Sequence, residues 1–451
     1  MNNLHADYRE HMLDTAPIAI DLFSGIGGLS LGLEQAGFFS AVHVEKNGIA
    51  SKYAKYNFPL SYHLGGDHHG DIENTSSDIL RDLVGKREIA LIAGGPPCQG
   101  FSTIGRRRID DPLNYLVLRL AGLILELEPM AFVIENVPGI KAGQYWQLDQ
   151  ALVQLSSKYY HTDPTELYAP DFGVPQIRKR VFIIGIRRDL GRRPSLPLPT
   201  HTLDRTCGGI FSLLQTPTVG EAILDLPDCD QYPELLDGDT VPYDKPPHSE
   251  FSRLMRNPSY VDNARNYYTV EWDGISCTNL RRTQHGQDLL ERIQAVPPGG
   301  IDKRSRIKRL DPDGLALTVR AGTTSERGAW SAPRPCHPIF PRVVTTRESA
   351  RFQSFPDWFR FHPAKWHGNM QVGNAVPPLL AQAVGRQVLE SLKYTLSSKS
   401  DITIVNRDDN LIQDDLDAAA RAGYATRKTS HKVENTNLQS RRVTMSAPHK
   451  G

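Results

Sequence analysis

Cysteine, long apolar runs and net charge are all scarce in this chain of 451 residues. The five cysteines include no Cys-x-x-Cys pair, which argues against structural zinc and a disulfide framework and favours a reducing compartment. No apolar run approaches the roughly 18 residues that a membrane helix needs, and the first residues are too polar for a signal peptide. We therefore expect a cytoplasmic protein that has no membrane partner.

The charges of the chain nearly cancel, since lysine plus arginine number 52 and aspartate plus glutamate 51. Hydrophobic residues make up 39% and charged residues 23%, which is typical of a folded globular protein and excludes a mostly disordered one. A nucleic-acid partner is still compatible with this balance, because basic side chains can gather locally. They do so at 187–188, 192–193 and 281–282, and in KRSRIKR (303–309).

Short apolar runs alternate with helical patterns between about residues 18 and 187. The runs are IAIDLF (18–23), AVHVE (41–45), IALIAGG (89–95), MAFVIE (130–135) and VFIIGI (181–186). β-rich runs of this length, separated by helices, predict a parallel sheet that is buried on both faces. The expected fold class is α/β, with a doubly wound, mostly parallel sheet.

The composition changes near residue 188 and again near residue 396. Residues 188–303 are rich in Pro, Gly, Asp and basic pairs and lack strong periodicity, whereas the last 55 or so residues are polar and almost free of aromatic side chains. We expect an α/β domain at 1–187, a smaller loop-rich domain at 188–340, a segment at 341–395 that returns to the first domain, and a disordered tail at 396–451. Removing that tail should change activity little.

A glycine-rich turn, DLFSGIGG (21–28), follows the first buried run and precedes a helical pattern. Its glycines let the backbone approach a ligand closely. Glu45 ends the next run, 20 residues after Gly25, where a carboxylate can hold ribose hydroxyls. Ser30 stands where a dinucleotide motif has its last small residue, so an adenosine ligand without a pyrophosphate fits better than NAD. A tight strand–helix turn without any ligand explains these residues equally well.

The segment GGPPCQGFS (94–102) places Cys98 at the carboxyl edge of the predicted sheet, where such folds bind ligands. A lone cysteine is more often an inert core residue. The stiff frame of glycines and prolines at a strand end favours a nucleophile instead, which would need a lowered thiol pKa.

Two further motifs follow in the same part of the chain. ENV (135–137) puts Glu135 on the same edge, where a buried carboxyl can act as a general acid; a capping or ion-paired glutamate is the alternative. In QIRKR (176–180), Gln176, Arg178 and Arg180 alternate and should face one way, which suits a phosphate or a base edge. A solvated basic strand end is the alternative.

Together and in this order, these segments resemble the motifs of the cytosine-C5 DNA methyltransferases. DLFSGIGG resembles the first motif, Glu45 the second, Asp71–Ile72 the third and GGPPCQGFS the fourth, while ENV and QIRKR resemble the sixth and eighth. RLDPDGLALTVRA (309–321) resembles the ninth and QVGNAVPP (371–378) the tenth. The resemblance covers about residues 17–393 apart from the variable recognition region.

The resemblance implies an S-adenosylmethionine-dependent, Rossmann-like catalytic domain at 1–187 and a DNA-recognition domain at 188–340. It assigns Cys98 as the nucleophile, Glu135 as the acid at the base, and Arg178 and Arg180 as the residues that orient the cytosine. It assigns cofactor binding to Phe23, Gly25, Ile26, Gly27, Glu45, Asp71, Ile72, Pro97, Leu116, Asn374 and Val376.

The same resemblance implies a reaction and its partners. The enzyme would methylate C5 of a cytosine flipped out of double-stranded DNA, through a covalent cysteine adduct, with S-adenosylmethionine as the donor and no metal. His63, His68 and His69 lie near Asp67, but no cysteine accompanies them, so we expect no metal site there. The expected setting is a bacterial restriction–modification system with a cognate endonuclease, and the expected state is a monomer.

Three other functions compete with this interpretation. An RNA cytosine-C5 methyltransferase would carry the same motifs, but the long basic region at 188–303 favours duplex DNA. A catalytically silent DNA-binding protein would not need intact Cys98, Glu135 and Arg180. An NAD oxidoreductase is disfavoured by the glycine pattern and by GGPPCQGFS. The DNA sequence that the protein would read does not follow from residues 188–303.

Overall fold

A computed structural model of the chain describes residues 2–97, 112–141, 146–204, 213–257, 267–322, 335–396 and 403–422. Its centre is an eight-stranded sheet. The strands of this sheet are β1 (Ile18–Leu22), β2 (Phe39–Glu45), β3 (Tyr62–Gly65), β4 (Ile89–Gly94), β5 (Ala131–Asn136), β6 (Tyr159–His161), β7 (Thr165–Tyr168) and β8 (Lys179–Arg187).

The strand order is β3-β2-β1-β4-β5-β8-β6, and β7 also pairs with β8. Strands β1 to β5 pair in parallel, whereas β8 runs antiparallel to β5, β6 and β7. Parallel neighbours need a crossover, and helices supply it on both faces of the sheet. The predicted doubly wound, mostly parallel α/β fold is confirmed.

The helices lie on both sides of the sheet and in the second half of the chain. They are α1 (Asn2–Thr15), α2 (Gly28–Ala36), α3 (Gly48–Asn57), α4 (Gly66–His69), α5 (Ser77–Val84), α6 (Leu116–Leu127), α7 (Trp146–Leu155), α8 (Val219–Ile223), α9 (Glu250–Met255), α10 (Gln287–Ala295), α11 (Thr346–Phe352), α12 (Lys365–Asn374), α13 (Pro378–Ser391) and α14 (410–422). Within the described ranges, no helix is both long and apolar enough to cross a membrane.

One face of the sheet is covered by α2 and α13, which pack closely together. A Cβ atom added at Gly32 would lie 2.4 Å from the Cβ of Ala381, and one added at Gly385 would lie 2.8 Å from the Cβ of Ala36. These glycines therefore set the distance between the two helices. The contact brings the segment before α13 back onto the first domain, next to the glycine-rich turn.

Most of the second half of the chain is built from short elements. Its strands are β9 (His201–Thr202), β10 (Leu214–Gln215), β11 (Val241–Pro242), β12 (Tyr268–Val270), β13 (Ser276–Cys277) and β14 (Thr403–Val405). In the described part they pair only in twos, as β9–β10, β11–β13 and β12–β14. Helix α11 lies in the middle of this region, and all seven of its residues are buried. The domain boundaries at 188 and 341 stay a prediction, because residues from both sides join one apolar cluster.

The expected disordered tail is wrong for residues 403–422, which we call the C-terminal strap. Strand β14 pairs in parallel with β12, and α14 follows it. Val405 and Ile412 are each 2% exposed and join the larger apolar core. Polar composition was misleading here, because a few apolar side chains, the Lys52–Asp415 ion pair and several hydrogen bonds hold the strap in place. Residues 423–451 lie outside the described residues.

Candidate active site

The carboxyl ends of four neighbouring strands bring the predicted motifs to one edge of the sheet. Leu22 of β1 pairs with Val44 of β2 and with Gly94 of β4, and Gly94 pairs with Ile134 of β5. The glycine-rich turn and the residues that follow Val44, Gly94 and Ile134 therefore lie side by side. This is the edge at which open α/β sheets bind ligands.

The glycine-rich turn is held open by backbone conformations that favour glycine. Gly25 and Gly27 have φ angles of 56° and 93°, and Phe23 adopts φ 65°. A Cβ at Gly27 would lie 2.3 Å from the Phe58 ring, whereas one at Gly25 would meet no described atom within 4 Å. The turn thus packs tightly at Ile26, which is buried, and at Gly27, and it leaves space beside Gly25 for a ligand.

Glu45 is fixed to this turn. Its Oε2 accepts a hydrogen bond from the Gly25 N–H at 2.8 Å, and its Oε1 accepts one from the Asn47 N–H at 2.7 Å. Burial raises the pKa of Glu45, against the effect of these two bonds. Each carboxylate oxygen keeps a further acceptor site, which is what binding of two ribose hydroxyls requires.

Asp71 and Ile72 lie on a turn that is bonded to Lys46, the residue after Glu45. We call the glycine-rich turn, Glu45 and this second turn the wall of the site. The Lys46 ammonium bonds Asp71 Oδ2 at 2.6 Å and lowers the pKa of that carboxyl. Arg119 of α6 donates to the Thr75 carbonyl at 2.6 Å, and Ile72 is buried beneath the turn. Sequence reasoning missed Lys46 and Arg119, although both are basic side chains next to predicted site elements.

Residues from distant parts of the chain complete the wall. A Cβ at Gly28, the first residue of α2, would lie 2.5 Å from the carbonyl oxygen of Val376, so the 371–378 segment contacts the glycine-rich turn directly. Asn374 is exposed and Val376 is buried. Leu116 is half-buried at the start of α6, and Pro97 is half-buried just beyond β4.

The second group of predicted residues surrounds Glu135. A Cβ at Gly95 would lie 2.8 Å from Glu135 Oε2, so glycine is needed beside this carboxyl. Arg180 Nε lies 2.9 Å from Glu135 Oε1. Burial raises the pKa of Glu135, and the positive charges of Arg180 and Arg178 oppose that effect. The result is a buried carboxyl that accepts a proton more readily than a free glutamate while an arginine holds it in place.

The structure separates the two arginines that were expected to act together. Arg178 is 1% exposed, and its guanidinium donates to the backbone carbonyls of Val319, Gly373 and Ala375 at 3.1, 2.9 and 2.9 Å. Gln176, the first residue of the alternating set, is also buried, and its amide bonds Val319 N–H and the Phe352 carbonyl. Only Arg180 of this set is seen to contact Glu135.

Comparison with known proteins identifies the family. The sequence profile described as C-5 cytosine-specific DNA methylase matches residues 18–390. The chain belongs to this family. The predicted enzyme class, DNA (cytosine-5-)-methyltransferase, is thereby confirmed.

Relatives of this methyltransferase align over most of its length. The type II methyltransferase M.XorII of Xanthomonas oryzae is 40% identical over 421 residues, which cover 91% of this chain and 94% of that protein. M.AgeI of Thalassovita gelatinovora is 31% identical over 440 residues, covering 84% and 99%. A crystal structure of an Escherichia coli protein, described as a putative DNA modification methyltransferase encoded within a prophage, is 32% identical with a TM-score of 0.68, covering 83% and 99%.

The predicted nucleophile of the methyltransferase, Cys98, lies outside the described residues. The described chain leads up to it through Pro96 and Pro97. The Pro96 carbonyl accepts a bond from the Asn136 side chain at 3.3 Å, next to Glu135. The role of Cys98 remains a prediction.

The three histidines near Asp67, at which no metal site was expected, lie on two different elements, β3 and α4. His63 is half-buried, stacks on His43 at a ring distance of 4.8 Å, and bonds the Phe58 carbonyl, while burial lowers its pKa to about 4. His68 and His69 are exposed on α4. No group of three or more potential metal ligands occurs within the described ranges.

One buried acidic residue of the methyltransferase site was not predicted. Asp21, the next-to-last residue of β1, is 1% exposed and accepts a hydrogen bond from the Ser30 hydroxyl. Burial raises the pKa of Asp21 to about 7. Its Oδ1 and the hydroxyl of Ser24 are buried without a hydrogen-bond partner among the described residues. Unpaired polar atoms of this kind next to the open space at Gly25 fit a site that is built to receive a polar ligand.

Proposed function

We propose that this DNA (cytosine-5-)-methyltransferase takes its methyl group from S-adenosylmethionine, acts on a flipped-out cytosine through a covalent adduct with Cys98, and protects host DNA in a restriction–modification system. The observation that carries the proposal is the placement of the Glu135–Arg180 pair beside the Gly94–Pro97 segment and the glycine-rich turn. The acid, the described segment that leads to the predicted nucleophile, and the ligand space then share one edge of the sheet.

The described residues fit the proposed donor. Glu45 would hold the ribose hydroxyls, and Asp71 and Ile72 would contact the adenine. The other predicted contacts form the rest of the wall, namely Phe23, Gly25, Ile26, Gly27, Pro97, Leu116, Asn374 and Val376. The open space at Gly25 and the unpaired polar atoms of Asp21 and Ser24 support this assignment. When bound, the donor supplies a methyl group on a sulfonium, which is an electrophile that a carbon nucleophile can attack.

The cytosine ring must be activated, because its C5 atom is a poor nucleophile. Addition of the Cys98 thiolate to C6, with proton transfer from Glu135 to N3, converts C5 into an enamine-like carbon that attacks the methyl group. Loss of the C5 proton then expels the thiolate, and return of the N3 proton to Glu135 restores the neutral ring and the acid. The raised pKa of Glu135 suits its role as the acid, and Arg180 orients that carboxyl and the base.

Neither C5 nor C6 can be reached by an enzyme thiol while the cytosine is stacked inside a duplex. The cytosine would therefore leave the base stack, at a cost of a few kcal/mol. Residues 188–340 would read the neighbouring bases in a groove, and basic side chains would contact the phosphates. The names of M.XorII and M.AgeI as type II methyltransferases support a restriction–modification role with a cognate endonuclease. We propose a monomer in the bacterial cytoplasm.

Bisulfite sequencing tests the activity and the specificity together. A mixed-sequence duplex is incubated with the purified protein and S-adenosylmethionine, and cytosines protected from conversion are mapped. Protection at one short recurring site is the expected result. Protection of tRNA instead of DNA, or of neither in a folded protein, would contradict the proposal.

A pair of cysteine variants tests the covalent step. Cys98→Ala should abolish methylation while duplex DNA binding persists. The matched control is Cys229→Ala, because Cys229 is buried and burial raises the pKa of its thiol to about 12, which makes it inert. A Cys98→Ala protein that still methylates DNA would contradict the covalent mechanism but not the enzyme class.

A further inference from the structure

Arg178 joins three segments that are far apart in the sequence. Its Nη1 donates to Val319, and its Nη2 donates to both Gly373 and Ala375. The three carbonyls are 141, 195 and 197 residues away from it along the chain. A planar guanidinium can serve several carbonyls in fixed directions at once, which a point charge cannot do as well.

The carbonyls of Gly373 and Ala375 lie on either side of Asn374, and the Ala375 carbonyl directly precedes Val376. Asn374 and Val376 are two of the proposed cofactor contacts. The same stretch is packed from two other sides. A Cβ at Gly373 would lie 2.4 Å from Ala321 N, and a Cβ at Gly28 would lie 2.5 Å from the Val376 carbonyl oxygen. The position of this wall is therefore set by the backbone of the ninth-motif segment, by the glycine-rich turn and by Arg178.

A contact between Arg178 and the cytosine is hard to reconcile with this geometry. Turning the guanidinium towards a base would leave three buried carbonyls without these bonds, and each unsatisfied buried acceptor is costly. Arg180, two residues later and inside β8, already lies against Glu135. The two arginines thus face different partners, Arg178 from the residue just before β8 and Arg180 from its beginning.

We propose that Arg178 is a positioning residue for the methyl donor, which fixes the wall that carries Asn374 and Val376 instead of contacting the cytosine. This inference rests on the proposed S-adenosylmethionine site. It makes the segment 178–180, which leads into β8, a direct link between the cofactor wall, through Arg178, and the acid at the base, through Arg180.

The test compares Arg178→Lys with Arg180→Lys. Affinity for S-adenosylmethionine is measured by titration calorimetry on the protein alone, and affinity for duplex DNA by a binding assay with the site that bisulfite mapping identifies. We expect Arg178→Lys to weaken the donor affinity by about tenfold or more, since charged hydrogen bonds to buried carbonyls are lost, with DNA affinity retained. Arg180→Lys should instead leave the donor affinity unchanged and lower kcat.

A second variant guards against a folding defect, because Arg178 is fully buried. Thr318 is exposed, and its hydroxyl donates to the Ile177 carbonyl, which ties the ninth-motif segment to the start of β8. Thr318→Val should weaken donor binding in the same direction but less. Unchanged donor affinity in folded Arg178→Lys, or in Thr318→Val if the first variant does not fold, would overturn the inference. A wild-type protein that binds no S-adenosylmethionine would instead contradict the proposed cofactor.

Discussion

Two halves of this methyltransferase share one apolar cluster but differ in how many arginines they bury. The sheet half, made of the eight-stranded sheet with α1 to α7 and α13, is held by apolar side chains between strands and helices. The arginine half, residues 213–362, is organised around α11, and its buried groups include Arg342, Arg347 and Arg351, which are each at most 2% exposed. The fold of the sheet half can be predicted from apolar patterns in the sequence. The fold of the arginine half depends on the pairing of buried charges.

The buried arginines are paired in detail. Arg351 bonds both carboxylate oxygens of Asp357 at 2.6 Å and also contacts Asp225 at 3.3 Å. Arg342 bonds both oxygens of Glu348 at 2.8 and 2.9 Å. Removing such charges from water is expensive, so each ion is tolerated only while its partner is present. The segments that pack around helix α11 must therefore carry carboxylates that match its buried arginines, as Asp357 and Asp225 do for Arg351.

The C-terminal strap connects the two halves, and its removal is the strongest test of the comparison. Strand β14 pairs with β12 in the arginine half, while Asp415 and Asp409 bond Lys52 and Tyr56 of α3 in the sheet half at 2.7 Å each. Truncation after residue 396 should cost roughly 3–6 kcal/mol of unfolding free energy, because Val405 and Ile412 lose their buried contacts. Urea denaturation measures the loss.

The matched control for this truncation ends the chain after residue 422, which keeps β14 and α14. We expect its unfolding midpoint and methylation rate to stay near those of the full chain. If both truncated proteins unfold at the same urea concentration as the full chain, the strap contributes nothing to stability and the two halves are joined without it.

Removal of one buried charge should affect the arginine half nearly as strongly. Arg351→Met keeps roughly the length of the side chain but removes the guanidinium that bonds both oxygens of the buried Asp357, while Asp225 keeps its contact with Arg256 at 2.7 Å. The expected cost is about 3–5 kcal/mol of unfolding free energy. Chemical denaturation at pH 7.5 measures it.

A surface pair provides the reference for that loss. Arg304 pairs with Asp288 at 3.6 Å, and both side chains are more than 70% exposed. Arg304→Met should change stability by less than about 1 kcal/mol, since solvent screens such pairs. Equal effects of the two substitutions would mean that the buried network does not organise the arginine half.

The sheet half and the edge that carries the site could be predicted from the sequence for physical reasons. Buried parallel strands appear as continuous β-rich runs, and glycines mark turns where no side chain fits. Because parallel strands end at one edge, Glu45, Glu135 and the glycine-rich turn could be placed together before any coordinates were known. The contact of Glu135 with Arg180 does not follow from this logic, because β8 runs antiparallel to β5 and therefore begins at the edge where β5 ends.

Sequence patterns failed where polar groups are buried. Arg178 looks like a surface or ligand-binding arginine, and only the fold reveals the three carbonyls that surround it. The strap has a polar composition because its carboxylates serve Lys52 and Tyr56 as partners. In α11 the structure shows a capping box between Thr345 and Glu348, and nothing local in the sequence indicates that Glu348 also binds Arg342.

The smallest expected effect concerns acid sensitivity in the arginine half. His337 is 2% exposed, and its Nδ1 accepts hydrogen bonds from the N–H groups of Ile339 and Phe340 at 3.1 Å each. Burial lowers the pKa of His337 to about 4. The unfolded chain therefore binds a proton first as the pH falls, so the stabilisation is complete above about pH 6.5 and is lost between there and pH 4.

His337→Asn isolates this contribution, because the asparagine Oδ1 can accept the same two backbone bonds and does not titrate. Between pH 6.5 and 4, its unfolding free energy should fall less steeply than that of the wild type, by up to about 1.4 kcal/mol per pH unit. Urea denaturation at pH 8, where neither protein is protonated at this position, gives the baseline. The remaining slope belongs to other groups, among them His63 of the sheet half, whose pKa burial also lowers to about 4. If the slopes are identical, His337 is not held neutral by the fold, and the buried network around Arg342 and Glu348 must accommodate an additional positive charge.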